Sequence, residues 1–372
     1  MFCQNGIRNL DFIRKGMSSK KKVLFILPSL KAGGAERVMT FVANNLNADL
    51  FDVTILIIGF EKDAVYEFNS KKAFFLDRTS VSSSVFDIIQ FLKIQRPDIV
   101  ISAISHLNAL MAFLGLFFTK IRFIGREASV ITNMKEYAGF KFKINYYLIK
   151  ISYKLLDIII CQSEDMFDDF ATKLKIDKKK LILIHNPITK KGCLKRDKEF
   201  SNVTKYVTVG RLSEEKGHLR LLEALSKVKT KNFEYTIIGT GPLEETLKKE
   251  VLRLNLNKNV FFLGETKQIY AELVKHDIFL QGSFVEGFPN GLLEAMSVGI
   301  PAIAFEAPGG TKEIIINSIN GFIVKDIDEL VSLINRGDLN VRFDRKKIVL
   351  SVESRFSANT IVNKYENLFL NK

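Results

Sequence analysis

Apolar residues occur in short continuous runs along the chain, and stretches of helical length separate them. The first run, residues 23–27, has the length of a strand and is followed by a loop with paired glycines and by a helical stretch over 35–46. Continuous apolar runs of this kind are typical of strands that are buried on both faces of a parallel sheet. The pattern therefore predicts a parallel α/β unit at the start of the chain.

The same alternation continues along both halves of the chain and predicts two doubly wound, Rossmann-like sheets. The final helical run, 360–370, follows the last predicted strand, and we expect it to pack back on the first domain. The further predicted strands are 53–58, 73–76, 98–102, 121–125, 157–161, 181–184, 206–210, 235–239, 260–264, 277–280 and 301–305.

A polar, basic segment between the two sets of strands marks the predicted domain boundary. The assigned units are a basic N-terminal extension (1–21), an N-terminal domain (22–188), a linker (189–204), a C-terminal domain (205–355) and a C-terminal crossover helix (356–372). With 372 residues and 47% hydrophobic content, the chain has enough apolar material for two domains of ordinary size.

The composition of the chain limits the classes of binding partner and the cellular compartment that we expect. Lys+Arg 55 against Asp+Glu 41 gives a net charge of +14, which favours anionic partners such as nucleotides, phospholipid surfaces or nucleic acid. The widely spaced Cys3, Cys161 and Cys193 indicate neither a disulfide framework nor a cysteine metal site, and suggest a reducing compartment. The four histidines lack the spacing of zinc ligands.

No segment predicts export or a membrane span. The first 22 residues have no apolar core of signal-peptide length, and the most apolar internal run, 107–118, is too short to cross a bilayer. We therefore expect 107–118 to be a buried helix.

Candidate chemistry in the first half lies where predicted strands end, since ligands of open α/β sheets bind at that edge. Gly33 and Gly34 can turn backbone N–H groups towards a ligand, or they form only a tight turn. His106 is a site candidate or a surface or capping histidine. Arg126 and Glu127 follow the predicted strand 121–125 in the same way and are site candidates, or they form a solvated pair on a loop.

Two cations and another glycine occupy the same kind of position in the second half. Arg211 and Lys216 can bind a diphosphate, or form surface pairs with Glu214 or Glu215. Gly239 lies in a further strand-to-helix turn that we expect to face the same cleft.

Residues 282–296 join a strand end, a loop and a helix start between two acids, Glu286 and Glu294. Pro289 suits the first helical position, Gly291 lets a ligand approach the backbone, and the free N–H groups favour phosphate. The two carboxylates can accept from sugar hydroxyls, although Glu294 can also simply stabilise its helix. The sole Asp-x-Asp, at 326–328, is expected to cap a helix, and no metal site is assigned.

Residues 135–155 predict a helix with Lys143, Lys150 and Lys154 on one side. Its other side is apolar and carries Phe140, Ile144, Leu148, Ile151 and Leu155. This pattern fits a basic amphipathic helix on an anionic membrane, and equally a helix that packs on its own sheet with a solvated lysine face.

Four segments together resemble the motifs of retaining glycosyltransferases of family four. They are Gly33 to Glu36, Val209 to Leu212 with Lys216 and Gly217, Gly239 to Pro242, and Glu286 to Met296. The resemblance covers about residues 22–370 and implies the two-domain GT-B fold, with a nucleotide-sugar bound between the domains. It implies that Arg211 and Lys216 hold the diphosphate, Glu294 the ribose and Glu286 the donor sugar, with His106 near that sugar. The catalytic residues it implies are His106, Arg211, Lys216 and Glu286. The donor-binding residues it implies are Gly33, Gly34, Arg211, Lys216, Gly239, Glu286, Gly287, Phe288, Pro289, Asn290, Gly291, Leu292 and Glu294.

The resemblance further implies transfer with retention, without a metal or cofactor. The motif variant is similar to that of bacterial O-antigen, capsule and lipid-linked glycan transferases, which often use UDP-sugars of hexoses or N-acetylhexosamines. We expect a lipid-linked acceptor, such as one on undecaprenyl diphosphate, and a cytoplasmic protein peripheral on the inner membrane face. Arg126, Lys143, Lys150 and Lys154 are the candidate acceptor or membrane contacts. An epimerase of UDP-N-acetylglucosamine with the same fold, or a basic membrane or nucleic-acid-binding protein, is the alternative, although no nucleic-acid motif is present.

Overall fold

The computed structural model describes residues 20–31, 33–68, 72–134, 140–190, 192, 194, 203–229, 232–337 and 339–371. Its strands are β1 (Lys21–Leu27), β2 (Phe51–Ile57), β3 (Ala73–Phe75), β4 (Ile99–Ala103), β5 (Arg122–Arg126), β6 (Ile158–Cys161), β7 (Leu181–Leu183), β8 (Thr204–Val209), β9 (Phe233–Ile238), β10 (Val260–Gly264), β11 (Ile278–Gln281), β12 (Ala302–Phe305) and β13 (Gly321–Val324).

Helices follow most of the strands, as expected for doubly wound parallel sheets. They are α1 (Gly34–Asn45), α2 (Val85–Gln95), α3 (Ser105–Gly115), α4 (Ile131–Met134), α5 (Phe140–Leu155), α6 (Glu164–Asp168), α7 (His218–Ser226), α8 (Glu244–Arg253), α9 (Ile269–Leu273), α10 (Asn290–Ser297), α11 (Thr311–Ile314), α12 (Ile327–Asn335), α13 (Leu339–Arg342), α14 (Arg345–Phe356) and α15 (Ala358–Leu370).

The strands form two separate parallel sheets. The first has the order β3-β2-β1-β4-β5-β6-β7 and the second the order β10-β9-β8-β11-β12-β13. In the first, β1 pairs with β2 and β4, so that Phe25 lies between Ile55 and Ile101. Both orders reverse direction beside the first strand of the sheet, which places the loops after β1 and β4, and those after β8 and β11, at the edges where ligands bind. This arrangement confirms the predicted fold class.

Alternation of side chains along each strand builds a core on both faces of each sheet. In β1, Leu24 and Ile26 join one buried apolar cluster, whereas Phe25 and Leu27 join the other. Two more clusters cover the faces of the second sheet. Burial on both faces explains why the strands appear in the sequence as continuous apolar runs.

The end of the chain crosses from the second domain to the first. Phe356, the last residue of α14, lies in a core cluster of the second sheet, whereas Phe369 of α15 is fully buried in a cluster of the first. The Phe369 ring stands edge-on to Phe25 and Phe51, with centroids 6.3 and 6.0 Å away. The Lys21 ammonium donates to the Phe369 carbonyl at 2.8 Å. The last helix therefore packs back on the first domain, as expected.

Some details differ from the sequence expectations. Strand β13 was not predicted, since it is a run of four residues that begins with glycine at the edge of its sheet. The run 107–118 is only partly a buried helix, because α3 ends at Gly115 and Phe117 is 80% exposed. Asp326 accepts a hydrogen bond from the Glu329 amide at 2.9 Å and caps α12, as predicted.

The predicted domain limits remain predictions. Most of the extension 1–21 and of the linker 189–204 lies outside the described residues, as do Cys3 and Cys193. Cys161 is a buried free thiol. Within the ranges that the structure describes, every helix is too short or too polar to span a bilayer.

Candidate active site

Lys216 and Glu286 form the centre of the site in the second domain. The Lys216 ammonium donates to both carboxylate oxygens of Glu286, at 2.7 and 2.8 Å, and the Ser283 hydroxyl donates to Oε1 at 2.6 Å. Glu286 is 8% exposed. These residues follow β8 and β11, which are neighbours in the sheet, so residues far apart in the chain meet at one edge.

The loops after β8 and β11 approach each other as closely as backbone allows. Gly217 has φ +60°, and a Cβ atom placed there would lie 1.8 Å from the Gly282 carbonyl oxygen. A larger residue would therefore push the two loops apart, and the distance between Lys216 and Glu286 depends on glycine at position 217.

Arg220 of helix α7 binds the loop that follows β11 and carries Glu286. Its guanidinium lies between the rings of Phe284 and Phe305, 3.9 and 4.0 Å from their centroids. It also donates to the carbonyls of Gly282 and Ser283. Stacking and hydrogen bonding together fix the backbone that leads into Glu286.

Arg211 is exposed at the same strand end, with its guanidinium accessible to a ligand. A buried histidine holds its backbone, since His218 Nε2 lies 3.0 Å from the Arg211 carbonyl oxygen and donates to it. Burial lowers the pKa of His218, which favours the neutral ring with its proton on Nε2. Gly239, with φ +138°, packs directly on the Gly210 carbonyl beside this loop.

Glu294 is buried in the first turns of α10 and meets the other domain. It forms an ion pair with Arg37 of helix α1, and only 5% of the Glu294 side chain is exposed. Burial raises the pKa of Glu294 and the Arg37 charge opposes that rise. Of the two predicted acids, Glu286 therefore pairs within its own domain and Glu294 pairs across the cleft.

The loop after β1 also touches the second domain. A Cβ atom on Gly34 would lie 2.9 Å from Nδ2 of Asn290, so the glycine permits this approach. The Gly33 amide lies 3.0 Å from the Tyr66 hydroxyl and donates to it. Gly34 thus contacts the second domain, whereas Gly33 pairs within its own domain, and the predicted contact of this loop with a ligand stays a prediction.

Asn186 bridges the two domains and was not predicted. Its amide nitrogen donates to Asn290 Oδ1 at 2.8 Å, and its carbonyl oxygen accepts from the Arg126 guanidinium at 2.6 Å. Arg126 is 1% exposed. It is therefore neither a solvated loop residue nor a membrane contact, because the end of β5 is enclosed by the domain contact.

His106 lies in the first turn of α3, at the same sheet edge as Arg126, and its side chain is exposed. Partial desolvation lowers its pKa, which favours the neutral ring at neutral pH. The residue before this helix, Ile104, has φ +80°, a strained conformation for a β-branched side chain. Strain of this kind is concentrated at functional sites.

A buried polar network supports the turn that carries His106. The Ser105 hydroxyl donates to Glu127 Oε2 at 2.9 Å, and the Tyr153 hydroxyl donates to the same oxygen. Asn108 donates to the Tyr153 hydroxyl at 2.9 Å. Glu127 is 2% exposed, so the proposal of a solvated pair is wrong for this residue too. Burial raises the pKa of Glu127.

The rest of the predicted donor loop is largely enclosed. A Cβ atom on Gly287 would lie 2.0 Å from the Ala128 carbonyl oxygen of the first domain. Phe288 and Leu292 are buried in an apolar cluster on one face of the second sheet. One detail of the prediction is wrong, since Pro289 is the N-cap rather than the first helical residue. A Cβ atom on Gly291 would lie 2.9 Å from the Val209 carbonyl oxygen, and the approach of a ligand to the Gly291 backbone stays a prediction.

Helix α5 packs on its domain and leaves part of its predicted apolar side exposed. Among its described side chains, Ile149, Ser152 and Tyr153 are buried, whereas Leu148 and Ile151 of the predicted apolar side are each 55% exposed. Lys154 is exposed and Lys150 is half-buried, with its ammonium 3.4 Å from the Lys173 carbonyl. The Lys143 side chain lies outside the described residues. The helix packs on its domain and still exposes apolar side chains beside lysines.

No group of three or more His, Cys, Asp or Glu side chains in the described part of the chain is placed to hold a metal ion. A cavity of about 800 Å³ lies in the first domain beside Tyr66, and its lining includes Phe68, Phe75 and Glu67 rather than the donor-loop residues.

The residues that sequence reasoning missed are Arg37, Asn186, His218, Arg220 and Ser283. Arg37 directly follows the Gly33 to Glu36 motif, and Asn186 ends the strand at 181–184, so both occupied recognisable positions. Their partners lie in other parts of the chain, and no local pattern indicates those contacts.

Comparisons with known proteins identify the family of the chain. The family model described as Glycosyltransferase Family 4 matches residues 32–190, and the model Glycosyl transferases group 1 matches residues 194–336. The chain belongs to glycosyltransferase family four and is a retaining glycosyltransferase with the GT-B fold.

Among sequence relatives, the N-acetylgalactosamine-N,N'-diacetylbacillosaminyl-diphospho-undecaprenol 4-alpha-N-acetylgalactosaminyltransferase of Campylobacter jejuni is 25% identical, over 82% of this chain and 86% of the relative. The UDP-Gal:alpha-D-GlcNAc-diphosphoundecaprenol alpha-1,3-galactosyltransferase of Escherichia coli is 27% identical, over 94% of each chain. Anabaena HepE in complex with UDP-glucose is similar in structure, with a TM-score of 0.75, 18% identity and coverage of 93% of this chain and 99% of that one.

Proposed function

We propose that this glycosyltransferase moves a hexose or N-acetylhexosamine from a UDP-sugar to a lipid-diphosphate-linked saccharide in bacterial surface glycan synthesis. The observation that carries the proposal is the Lys216 and Glu286 pair at the edge of the second sheet. The names of the two relatives above include acceptors linked to undecaprenyl diphosphate, which supports the class of acceptor.

The donor diphosphate belongs at the β8 loop. Exposed Arg211 and the Lys216 ammonium supply positive charge there, and Lys216 must exchange a carboxylate partner for phosphate when the donor binds. Glu286, thereby released, accepts hydroxyl groups of the donor sugar. Glu294 accepts the ribose hydroxyls, as buried acids at the ends of Rossmann-like sheets do.

The reaction follows from these placements. The bond between the sugar C1 and the diphosphate oxygen breaks, and Arg211 and Lys216 stabilise the charge that develops on the leaving group. The acceptor oxygen bonds to C1 on the same face, and its proton passes to an oxygen of the leaving phosphate. Neutral His106 lies at the facing sheet edge, where it can donate a hydrogen bond to the sugar. We propose that the step needs neither metal nor cofactor.

We further propose that the first domain rests on the anionic inner face of the membrane. Leu148 and Ile151 of α5 are exposed, and Phe117, at the end of the helix that packs against α5, is 80% exposed. Lys154 beside them adds charge that attracts anionic lipid. This surface would bring the active site to a lipid-linked acceptor.

The donor assignment is tested by thermal stabilisation with a panel of UDP-, GDP- and ADP-sugars. We expect a UDP-sugar to raise the melting temperature, and Glu294→Ala to remove that rise. Stabilisation by a GDP- or ADP-sugar alone would contradict the choice of base, and an unchanged rise in Glu294→Ala would contradict the site.

A further inference from the structure

We propose that Arg37 is a donor-positioning residue which the N-terminal domain contributes to the ribose subsite, so that the subsite is complete only when the two domains are in contact. The inference rests on the proposed function, since it takes Glu294 as the acceptor of the ribose hydroxyls. It assigns a role to a residue outside the donor set that the resemblance implies.

The contact itself is specific. Arg37 projects from α1 across the cleft, and its Nη2 pairs with Oε1 of Glu294, which is 4% exposed. In the described part of the chain, Arg37 is the single side chain that gives Glu294 an ion pair or hydrogen bond. The second oxygen, Oε2, has no partner and Oε1 makes no hydrogen bond within the described residues, so the carboxylate can accept from hydroxyl groups of a ligand.

Burial makes a cation necessary at this place. A carboxylate with so little contact with water is disfavoured in its ionised form unless a positive group lies beside it. Burial raises the pKa of Glu294, and the Arg37 charge is the largest influence that lowers it again. Ionised Glu294 accepts from two neighbouring hydroxyls, whereas a protonated carboxyl gives up part of that capacity.

The groups around the pair do not replace Arg37. Tyr66 of the first domain and Tyr270 of α9 lie near enough to interact with it, but burial raises the pKa of Tyr66 and raises that of Tyr270 to about 12, so both stay neutral. Because Arg37 and Glu294 belong to different domains, recognition of ribose and contact between the domains are one event.

The test uses the full chain, with UDP and 2'-deoxy-UDP as probes and calorimetry as the measurement. Loss of a hydrogen bond to a charged acceptor lowers affinity about 10-fold or more, so we expect the wild type to prefer UDP by that factor. We expect Glu294→Gln and Arg37→Met to reduce the preference to about 2-fold or less, and Arg37→Lys to restore part of it because the charge is kept.

A matched control is Arg78→Met, since Arg78 forms an ion pair of the same type with Asp87 at 2.7 Å, outside the cleft. It should keep the wild-type preference. If Glu294→Gln loses the preference and Arg37→Met keeps it, or if Arg37→Met binds UDP more tightly than the wild type, the inference is overturned and the proposed function stands. If Glu294→Gln keeps the preference, the ribose assignment fails and the inference with it. If Arg37→Met does not fold, Arg37→Gln takes its place, because glutamine also lacks the charge: a ratio equal to that of Glu294→Gln, or between it and the wild type, supports the role, and a wild-type ratio overturns it.

Discussion

The Lys216 ammonium is shared between both carboxylate oxygens of Glu286, at 2.7 and 2.8 Å. The pair joins the residue for which we propose contact with the diphosphate and the residue for which we propose contact with the donor sugar. Its enclosed position, with Glu286 8% exposed, means that each charge depends on the other until a ligand enters. Donor binding therefore has to replace this ion pair with two contacts to the ligand.

Lys216→Ala should lower kcat for sugar transfer by about 100-fold or more, because it removes a positive charge that stabilises the leaving diphosphate. Steady-state kinetics with the stabilising donor measures the effect. Lys275→Ala is the matched control, since Lys275 also lies 2.8 Å from a glutamate but is on the surface. Equal activity of the two variants would contradict the role of Lys216.

Replacement of Leu148 and Ile151 by serine should weaken sedimentation with anionic vesicles by about 10-fold or more, since two apolar side chains no longer enter the lipid. Leu252→Ser with Leu350→Ser is the matched control, because those two leucines are each 64% exposed on helices of the second domain. Vesicle binding that is the same for both double variants would show that α5 does not contact the membrane.

Glu127→Gln should change the pH dependence of stability. Burial raises the pKa of Glu127 in the folded protein, so its stabilising contribution is fully present below its ordinary pKa and is lost as pH rises through the folded value. Glutamine cannot ionise. The melting temperature of the variant, relative to the wild type, should therefore rise as the pH increases above about 4.3, the ordinary pKa of glutamate. Parallel curves would contradict a raised pKa of the buried Glu127 carboxyl.

Phe369→Ala should destabilise the protein by about 3 to 5 kcal/mol, because it opens a cavity between the last helix and strand β1. Urea unfolding followed by circular dichroism measures the change. Leu370→Ala, at the neighbouring position and 43% exposed, should cost about 0.5 kcal/mol or less. A small effect of Phe369→Ala would show that α15 is not anchored on the first domain.

Much of the fold was predictable because its strands are buried on both faces and therefore appear as continuous apolar runs, as at residues 23–27. The two strands at the centre of the site, β8 and β11, were predicted with their loops, and so were Lys216 and Glu286. Strand β13 was missed, since four residues that begin with Gly321 give a weak pattern.

Contacts between the domains could not be predicted from the sequence. Arg37 and Glu294, or Asn186 and Asn290, meet only because two sheets face each other, and no local spacing connects them. The predicted solvated pair of Arg126 and Glu127 also proved to be buried, through contacts with residues that are distant in the sequence. Sequence patterns located the strand ends, but they did not show which side chains pair across the cleft.

The most direct test is transfer from a UDP-sugar to a lipid-diphosphate-linked saccharide, followed by mass spectrometry and by NMR of the new glycosidic bond. We predict a product heavier by one sugar residue, with the anomeric configuration of the donor, formed by the wild type and by Lys275→Ala and almost absent with Lys216→Ala. A product of unchanged mass with an inverted sugar carbon, as an epimerase would give, or equal transfer by Lys216→Ala, would contradict the account.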